Sequence, residues 1–257
     1  IYIKCAEAFL EEEAAVDAEV FVNKASAFIN NINEWALLLR YRVTFARVLD
    51  ANRKFVEAAL RYYELSTTDT TKIVAEETLE LLAKAVTCTI LGKTGPQRNR
   101  VMGLIYNDPR LLQLDQLGNY TAHSILLTKM YKGFIIRKAE LGGFEACLQE
   151  HQKASTAEGF TLLEKAIIEH NMIATSNIYL NIKISDLSEI LLIDVARTEK
   201  VAAQMIAENR LKATIDQVSG YLIFESTTNY LSKLDEEINN ICQEVNNFID
   251  IWENEVR

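Results

Sequence analysis

Proline is almost missing from this chain. Its 257 residues hold two, Pro96 and Pro109, and only nine glycines. A chain so poor in breakers is suited to long helices. Cysteine is scarce as well: Cys5, Cys88, Cys147 and Cys242 lie far apart and form no CxxC pair. That argues against a zinc knuckle or a disulfide framework and fits reduced thiols in an intracellular protein. No apolar run approaches the roughly 18 residues of a membrane span, and no signal-peptide pattern opens the chain. The three histidines, His123, His151 and His170, never pair at metal-ligand spacing. HExxH, HxH, GxSxG and GxGxxG are all absent. No catalytic, cofactor-binding or metal residue is therefore expected, and no cofactor. An excess of positive charge is lacking too: 27 basic against 36 acidic residues leave a net charge of −9. That sign opposes general attraction to phosphate backbones or anionic membranes and suits basic partners or plain solubility. The first residue is Ile1 rather than Met and already lies in a helical pattern, so the chain reads as a fragment whose N-terminal part is missing.

What is there begins with a repeat. Setting "AEAFLEEEAAVDAEVFVNKA" beside "FARVLDANRKFVEAALRYYE" pairs Phe9 with Val48, Leu10 with Leu49, Val16 with Phe55 and Phe21 with Leu60. The offset is 39 residues, and each copy reads as two helices around a charged break. Such units bury their faces only by stacking, which predicts an α-solenoid. After a polar linker, Leu79, Leu82, Ala83, Val86 and Ile90 share one face of a further helix. It stops at "GKTGP", residues 92–96. A phosphate-loop reading fails, because Thr87 stands where that motif needs glycine and a helix precedes it; a helix end and turn remain. Further helices are expected over 97–106, 120–138 and 140–151, with a partly irregular connection between the first two.

From residue 161 the pattern changes. Thr161 and Glu164 form a capping box that opens an amphipathic helix. "NIYLNIKI" reads as a strand between Asn177 and Ser185. Ser185 or Asp186 would cap a short helix, and Asp194 a longer one through Asn209. "LKATIDQ", a turn at Ser219-Gly220 and "YLIFES" complete a hairpin. Helix, strand, two helices and a hairpin are the order of a winged helix.

A winged helix that reads DNA needs basic or amide side chains on its third helix. Residues 177–226 carry seven acidic and five basic residues. No local cationic excess exists to neutralise several phosphates, so a nucleic-acid binder is the minority reading. The other use of such a fold is to join proteins through unpaired strand edges. Tyr179, Leu180, Asn181, Ile182, Tyr221 and Ile223 are the candidate residues for that sheet edge.

The chain closes on Leu231, Leu234, Ile238, Ile241, Val245, Phe248 and Trp252, spaced 3, 4, 3, 4, 3, 4. That is a coiled-coil seam of about three heptads. Residues 229–257 carry seven acidic and two basic side chains, so the seam is narrow and its flanks polar. Burying each Leu- or Phe-sized side chain is worth roughly 1.5–3 kcal/mol. The helix is expected to bury its seam either on its own domain or, better suited to so narrow a stripe, in a bundle with helices of other chains.

Several stretches read together resemble a known family. "YRVTFARVLDANRKFVEAALRYYELS", "CTILGKTGPQRNR", "HQKAST", "AIIEHN" and "QMIAENRLKATIDQVSG" are similar to the subunit-four family of the COP-nine (constitutive photomorphogenesis nine) signalosome, a branch of the PCI-domain proteins. The resemblance implies a mainly α fold: TPR-like helical repeats over 1–155, the winged-helix part of a PCI domain over 156–226, and a C-terminal bundle helix over 227–257. It implies a non-catalytic scaffold in cytoplasm and nucleus, in a complex that removes the ubiquitin-like modifier Nedd from cullins. Partners would be other PCI subunits and the isopeptidase-bearing subunits, with cullin-RING ligases as the complex's substrate. A PCI subunit of the proteasome lid is the alternative of the same class. The stretch "QLDQLGNYTAHS" does not follow the family pattern.

Overall fold

The computed structural model describes residues 1–29, 34–68, 75–116, 120–156 and 159–225, with residues 234, 237–246 and 248 near the C-terminus. Three helical pairs open the chain: α1 (Tyr2–Glu11) with α2 (Ala15–Ile29), α3 (Trp35–Ala51) with α4 (Phe55–Ser66), and α5 (Ala75–Leu91) with α6 (Pro96–Tyr106). The first two pairs turn the same way. Glu13 and Arg53 both take left-handed backbone, at φ 59° and 60°. The next amide in each reaches back, Ala14 N–H to Phe9 C=O and Lys54 N–H to Leu49 C=O, both at 2.9 Å. These are Schellman closures that satisfy the last helix carbonyls.

The closures correct the expected repeat, because equivalent residues lie forty apart rather than thirty-nine. In that register Ala6 matches Ala46, Ala18 matches Ala58 and Val22 matches Tyr62, all buried. The thirty-nine register would pair Val16, 73% exposed, with buried Phe55. Adjacent apolar residues at 9–10 and 48–49 let the sequence slip by one without penalty. A non-glycine in the left-handed region costs roughly 1–2 kcal/mol. Arg53→Gly is therefore expected to stabilise the chain by about 1 kcal/mol in a urea melt, since glycine is the residue best suited to this position; a destabilisation would contradict the closure.

At the end of α5, Gly92 has no room for a side chain. A Cβ there would lie 2.9 Å from Val56 Cγ2 and 3.2 Å from the Cys88 carbonyl. The "GKT" turn is thus a close crossing of α5 over α4. Beyond it, buried Arg98 donates to the Thr89 carbonyl at 2.8 Å and the Ile90 carbonyl at 3.3 Å, covering the end of α5 from the first turn of α6.

Residues 109–116 form a 3-10 segment and α7 spans Thr121–Tyr131. The expected helix over 120–138 stops early, because Gly133 turns left-handed at φ 71° and the chain then runs extended. Asn171 holds that extended piece: its side chain accepts from Ile136 N–H and donates to Ile136 C=O, both at 2.8 Å. The helix expected over 140–151 is likewise broken, into 3-10 turns at Lys138–Glu140 and Glu150–Gln152 with α8 (Gly142–Glu145) between them. Two adjacent glycines, 142 and 143, offer no side-chain restraint to hold a longer helix.

The winged helix follows. α9 (Leu162–Ile178) starts at Thr161, whose hydroxyl accepts from Glu164 N–H at 3.1 Å while Glu164 accepts from Thr161 N–H at 3.0 Å. Next come β1 (Asn181–Lys183), α10 (Ile184–Leu191), α11 (Val195–Ala207), β2 (Ala213–Asp216) and β3 (Tyr221–Phe224). The sheet order is β1-β3-β2, antiparallel throughout, with Leu222 opposite both Ile182 and Ile215. α9 runs one residue into the expected strand, which shrinks to three residues. α10 starts at Ile184, ahead of Ser185 and Asp186, so neither caps it. Asp194 stands at the N-cap of α11 but makes no side-chain cap bond. The hairpin closes with Gly220 at φ 70° and Asp216 accepting from Val218 N–H at 3.0 Å.

Two polar joints lock distant parts of the chain, the first within the region ahead of the winged helix and the second between the repeats and the winged helix. Buried Asp50 accepts from Gln152 Nε2 at 3.0 and 3.1 Å, and His151 Nε2 stands 3.2 Å from the same carboxylate. Buried Glu169, on α9, accepts from both terminal nitrogens of Arg210 and from the Thr94 hydroxyl. Arg210 also donates to Thr94 Oγ1 at 2.7 Å. At the rim of this joint, Lys93 pairs with Glu208 at 2.8 Å and, with Arg210, holds that carboxyl at about 2. Lys93 and Thr94 of the "GKT" turn are therefore the repeat side of a joint.

Candidate interaction surfaces

The winged-helix sheet presents one apolar face inward and a mixed face outward. Ile182, Ile215 and Leu222 point to the core with Phe224. Residues alternate across a strand, so Asn181, Lys183, Tyr221, Ile223, Thr214 and Asp216 share the outer face. Of the residues expected at a sheet edge, Ile182 is buried in the core. Tyr221 and Ile223 lie on β3, the central strand, whose two edges are already paired. Their side chains stand on a face rather than an edge. Tyr179 and Leu180 lead into β1, an outer strand, and Leu180 is 72% exposed. Ile178 and Ile223 are exposed as well, so four large side chains stand in water on the chain entering β1 and on the strand beside it. Lys183 Nζ sits 5.8 Å from the Tyr221 ring, so this cation is already engaged.

The third helix of the winged helix offers little to a phosphate backbone. Arg210 is consumed by Glu169, and the Arg197 guanidinium lies 5.3 Å over the Phe160 ring. Glu199 accepts from Gln217 at 2.7 Å on the wing. Placement of the charges sharpens what their count implied: Arg210 is held in a buried ion pair and Lys183 and Arg197 lie against rings, so few cations stand turned outward, where a DNA reader needs them.

The second surface is the C-terminal helix. Residues 237–246 are helical and every one of them is exposed. Leu234, Ile238, Ile241, Val245 and Phe248 range from 48% to 65% exposed. Leu231 and Trp252 of the expected seam lie outside the described residues. A helix showing five large apolar side chains to water has its burial still to make.

The histidines have structural places. The Thr87 hydroxyl donates to the Ala83 carbonyl at 3.0 Å, so His123 Nε2–H is the donor in its 3.1 Å bond to Thr87 Oγ1. His170 Nε2–H donates to the Phe134 carbonyl at 2.9 Å. Burial pushes both imidazoles down to about 4. Burial also pushes the Cys88 thiol up, away from a nucleophilic thiolate. Among the described residues no three His, Cys, Asp or Glu side chains converge as a metal site, and no described helix is long and apolar enough to cross a membrane.

The chain's relatives agree with this picture. Residues 148–226 match the PCI domain. The COP9 signalosome complex subunit 4 of Arabidopsis thaliana is 40% identical over 253 residues, 96% of this chain and 62% of that protein. The subunit 4 of Drosophila melanogaster is 41% identical over 250 residues, 97% of this chain and 59% of its own length. That of Dictyostelium discoideum is 38% identical over 252 residues, 97% and 61%. The chain thus spans about six tenths of the length of the curated relatives it matches. Helical pairs, a three-stranded winged helix, and a likeness of about 40% identity over 96–97% of its length make the chain a PCI-domain protein of the COP9 signalosome subunit 4 family.

Proposed function

We propose that the chain is a non-catalytic scaffold of a signalosome-type complex, acting in cytoplasm and nucleus. In this reading the complex deneddylates cullins and so regulates cullin-RING ligases, with the zinc isopeptidase site in a different subunit. The observation that carries the proposal is the pair of unburied apolar surfaces, at the start of β1 and along the C-terminal helix. A module without a cationic excess that leaves these side chains in water is suited to pairing with neighbouring PCI subunits and to entering a shared helical bundle. The buried joints support the same reading, because a rigid arm transmits position between partners.

The test is affinity purification of the tagged full-length protein from its own cells, with mass spectrometry and a cullin deneddylation assay on the eluate. Several PCI subunits, a zinc isopeptidase subunit and activity are expected. Proteasome lid subunits in their place would move the complex; DNA-bound factors or no partners would overturn the proposal. Replacing Ile238, Ile241 and Val245 together by Asp is expected to cut recovery of the complex at least tenfold while the winged helix keeps its melting temperature. Undiminished co-purification would remove the seam from the proposal.

A further inference from the structure

A groove of about 650 Å³ lies between the extended segment after α7 and the corner where α10 meets α11. It shares no residue with the two surfaces above. One wall is Ile135, Ile136 and Leu141, the floor is Phe160 with Ile167 and Ile168 of α9, and the far wall is Ile190 to Ile193. The near wall is built rather than loose, because Asn171 clamps the Ile136 backbone from both sides.

Leu192 is the unexplained residue. It takes left-handed backbone at φ 56°, where glycine or asparagine serves at lower cost, and its side chain is 70% exposed. The turn itself needs only backbone, with Ile193 N–H reaching the Ser188 carbonyl at 3.2 Å. A strained position that displays a large apolar side chain to water contributes nothing to the fold and asks for a contact outside it.

The rim says what kind of contact. Arg137 and Lys138 edge one wall and Arg197 the other. Glu164, held by Thr161 N–H at 3.0 Å, takes Lys138 at 3.5 Å, and Asp194 sits at the positive end of α11, so Arg137 and Arg197 are the rim cations left to a partner. In a chain of net charge −9 this is a local cationic frame around an apolar slot.

We infer that the groove docks a short acidic amphipathic helix of a neighbouring subunit. Two or three large apolar side chains at i, i+3 or i+4 fill the slot, Leu192 packs against them, and flanking carboxylates meet Arg137 and Arg197. The inference rests on the scaffold reading and names one further contact within it.

The experiment places photoreactive benzoylphenylalanine at position 192 of the full-length protein in its own cells, purifies the complex after irradiation and maps the cross-linked peptide. A helix of another subunit with an apolar face and carboxylates within one turn is expected. An intact complex without that cross-link, or one to a basic segment or to this same chain, overturns the groove and leaves the scaffold reading standing. Loss of every partner overturns both. A companion variant, Leu192→Gly, removes the side chain while easing the backbone, so its melting temperature is expected to hold or rise. Retention of the cross-linked subunit should fall at least tenfold, and fall again with Arg137→Glu and Arg197→Glu. Unchanged retention in Leu192→Gly overturns the inference.

Discussion

Glu169→Ala is expected to cost the chain about 3–5 kcal/mol of stability, the price of breaking a buried ion pair from one side. Glu169 and Arg210 have side chains only 3% and 8% exposed, so neither charge can fall back on water. The loss reaches a second cation. Arg98 is buried, its guanidinium is pushed down to about 10 by burial, and Glu169 opposes that shift. Removing the carboxylate thus leaves buried Arg98 without its opposing charge, Arg210 with Glu208 alone, and the Thr94 hydroxyl without its acceptor. Adding Arg210→Met should recover part of the loss, with a coupling above about 1 kcal/mol in the double-mutant cycle. Chemical denaturation measures all three variants. A Glu169→Ala cost below about 1 kcal/mol would mean the joint is wet and the two modules are held by apolar packing alone.

Acid should unfold the chain from pH 6.5 downward, earlier than carboxylate titration would do it. His123 and His170 titrate near 4 when folded and at their ordinary 6.5 when unfolded. The unfolded chain therefore binds more protons between those values, and stability rises with pH across that window. Both contributions are complete above pH 6.5, shrink as pH falls toward 4, and are gone below it. Each shift corresponds to roughly 3 kcal/mol over the whole window. Depressed carboxyls such as Glu164 and Asp108 act in the same direction but lower, losing their share only as pH drops from the ordinary carboxylate value down through their depressed ones. Denaturant midpoints measured from pH 7.5 to 4.5 separate the two groups. His170→Gln keeps a donor for the Phe134 carbonyl and should flatten the slope between pH 6.5 and 4.5. An unchanged slope in that variant would show that His170 already reaches solvent.

The stretches that carry the family likeness meet in space. Asp50 of "ARVLD" binds Gln152 of "HQKA", 102 residues away. Thr94 of "GKTGP" meets Glu169 of "AIIEHN", and Arg210 of "AENRLK" joins them. Each looked like an isolated word in the sequence, and the phosphate-loop question at "GKT" was settled there only in the negative. Its positive role, a tight crossing at Gly92 followed by a joint through Lys93 and Thr94, depends on partners that no local pattern names.

What the sequence determined by itself was whatever is decided within a few residues. The Thr161–Glu164 box is an i, i+3 exchange, the Gly220 turn is a matter of φ, and the seam through Ile238, Ile241 and Val245 is a period; all three are legible without neighbours. Helix and strand order followed from the same local terms. Tertiary structure decided the rest. It chose the forty-residue register of the repeat, because stacking must bury Ala46 and Ala58 while the apolar pattern tolerates a slip of one. It broke the helix expected over 140–151 and turned Ile182 inward between exposed Asn181 and Lys183, since which face of a three-residue strand is wet depends on what packs beneath it. And it paired Arg210 with Glu169, 41 residues apart, because a buried charge takes whichever partner the fold brings within reach, and sequence distance does not enter that energy.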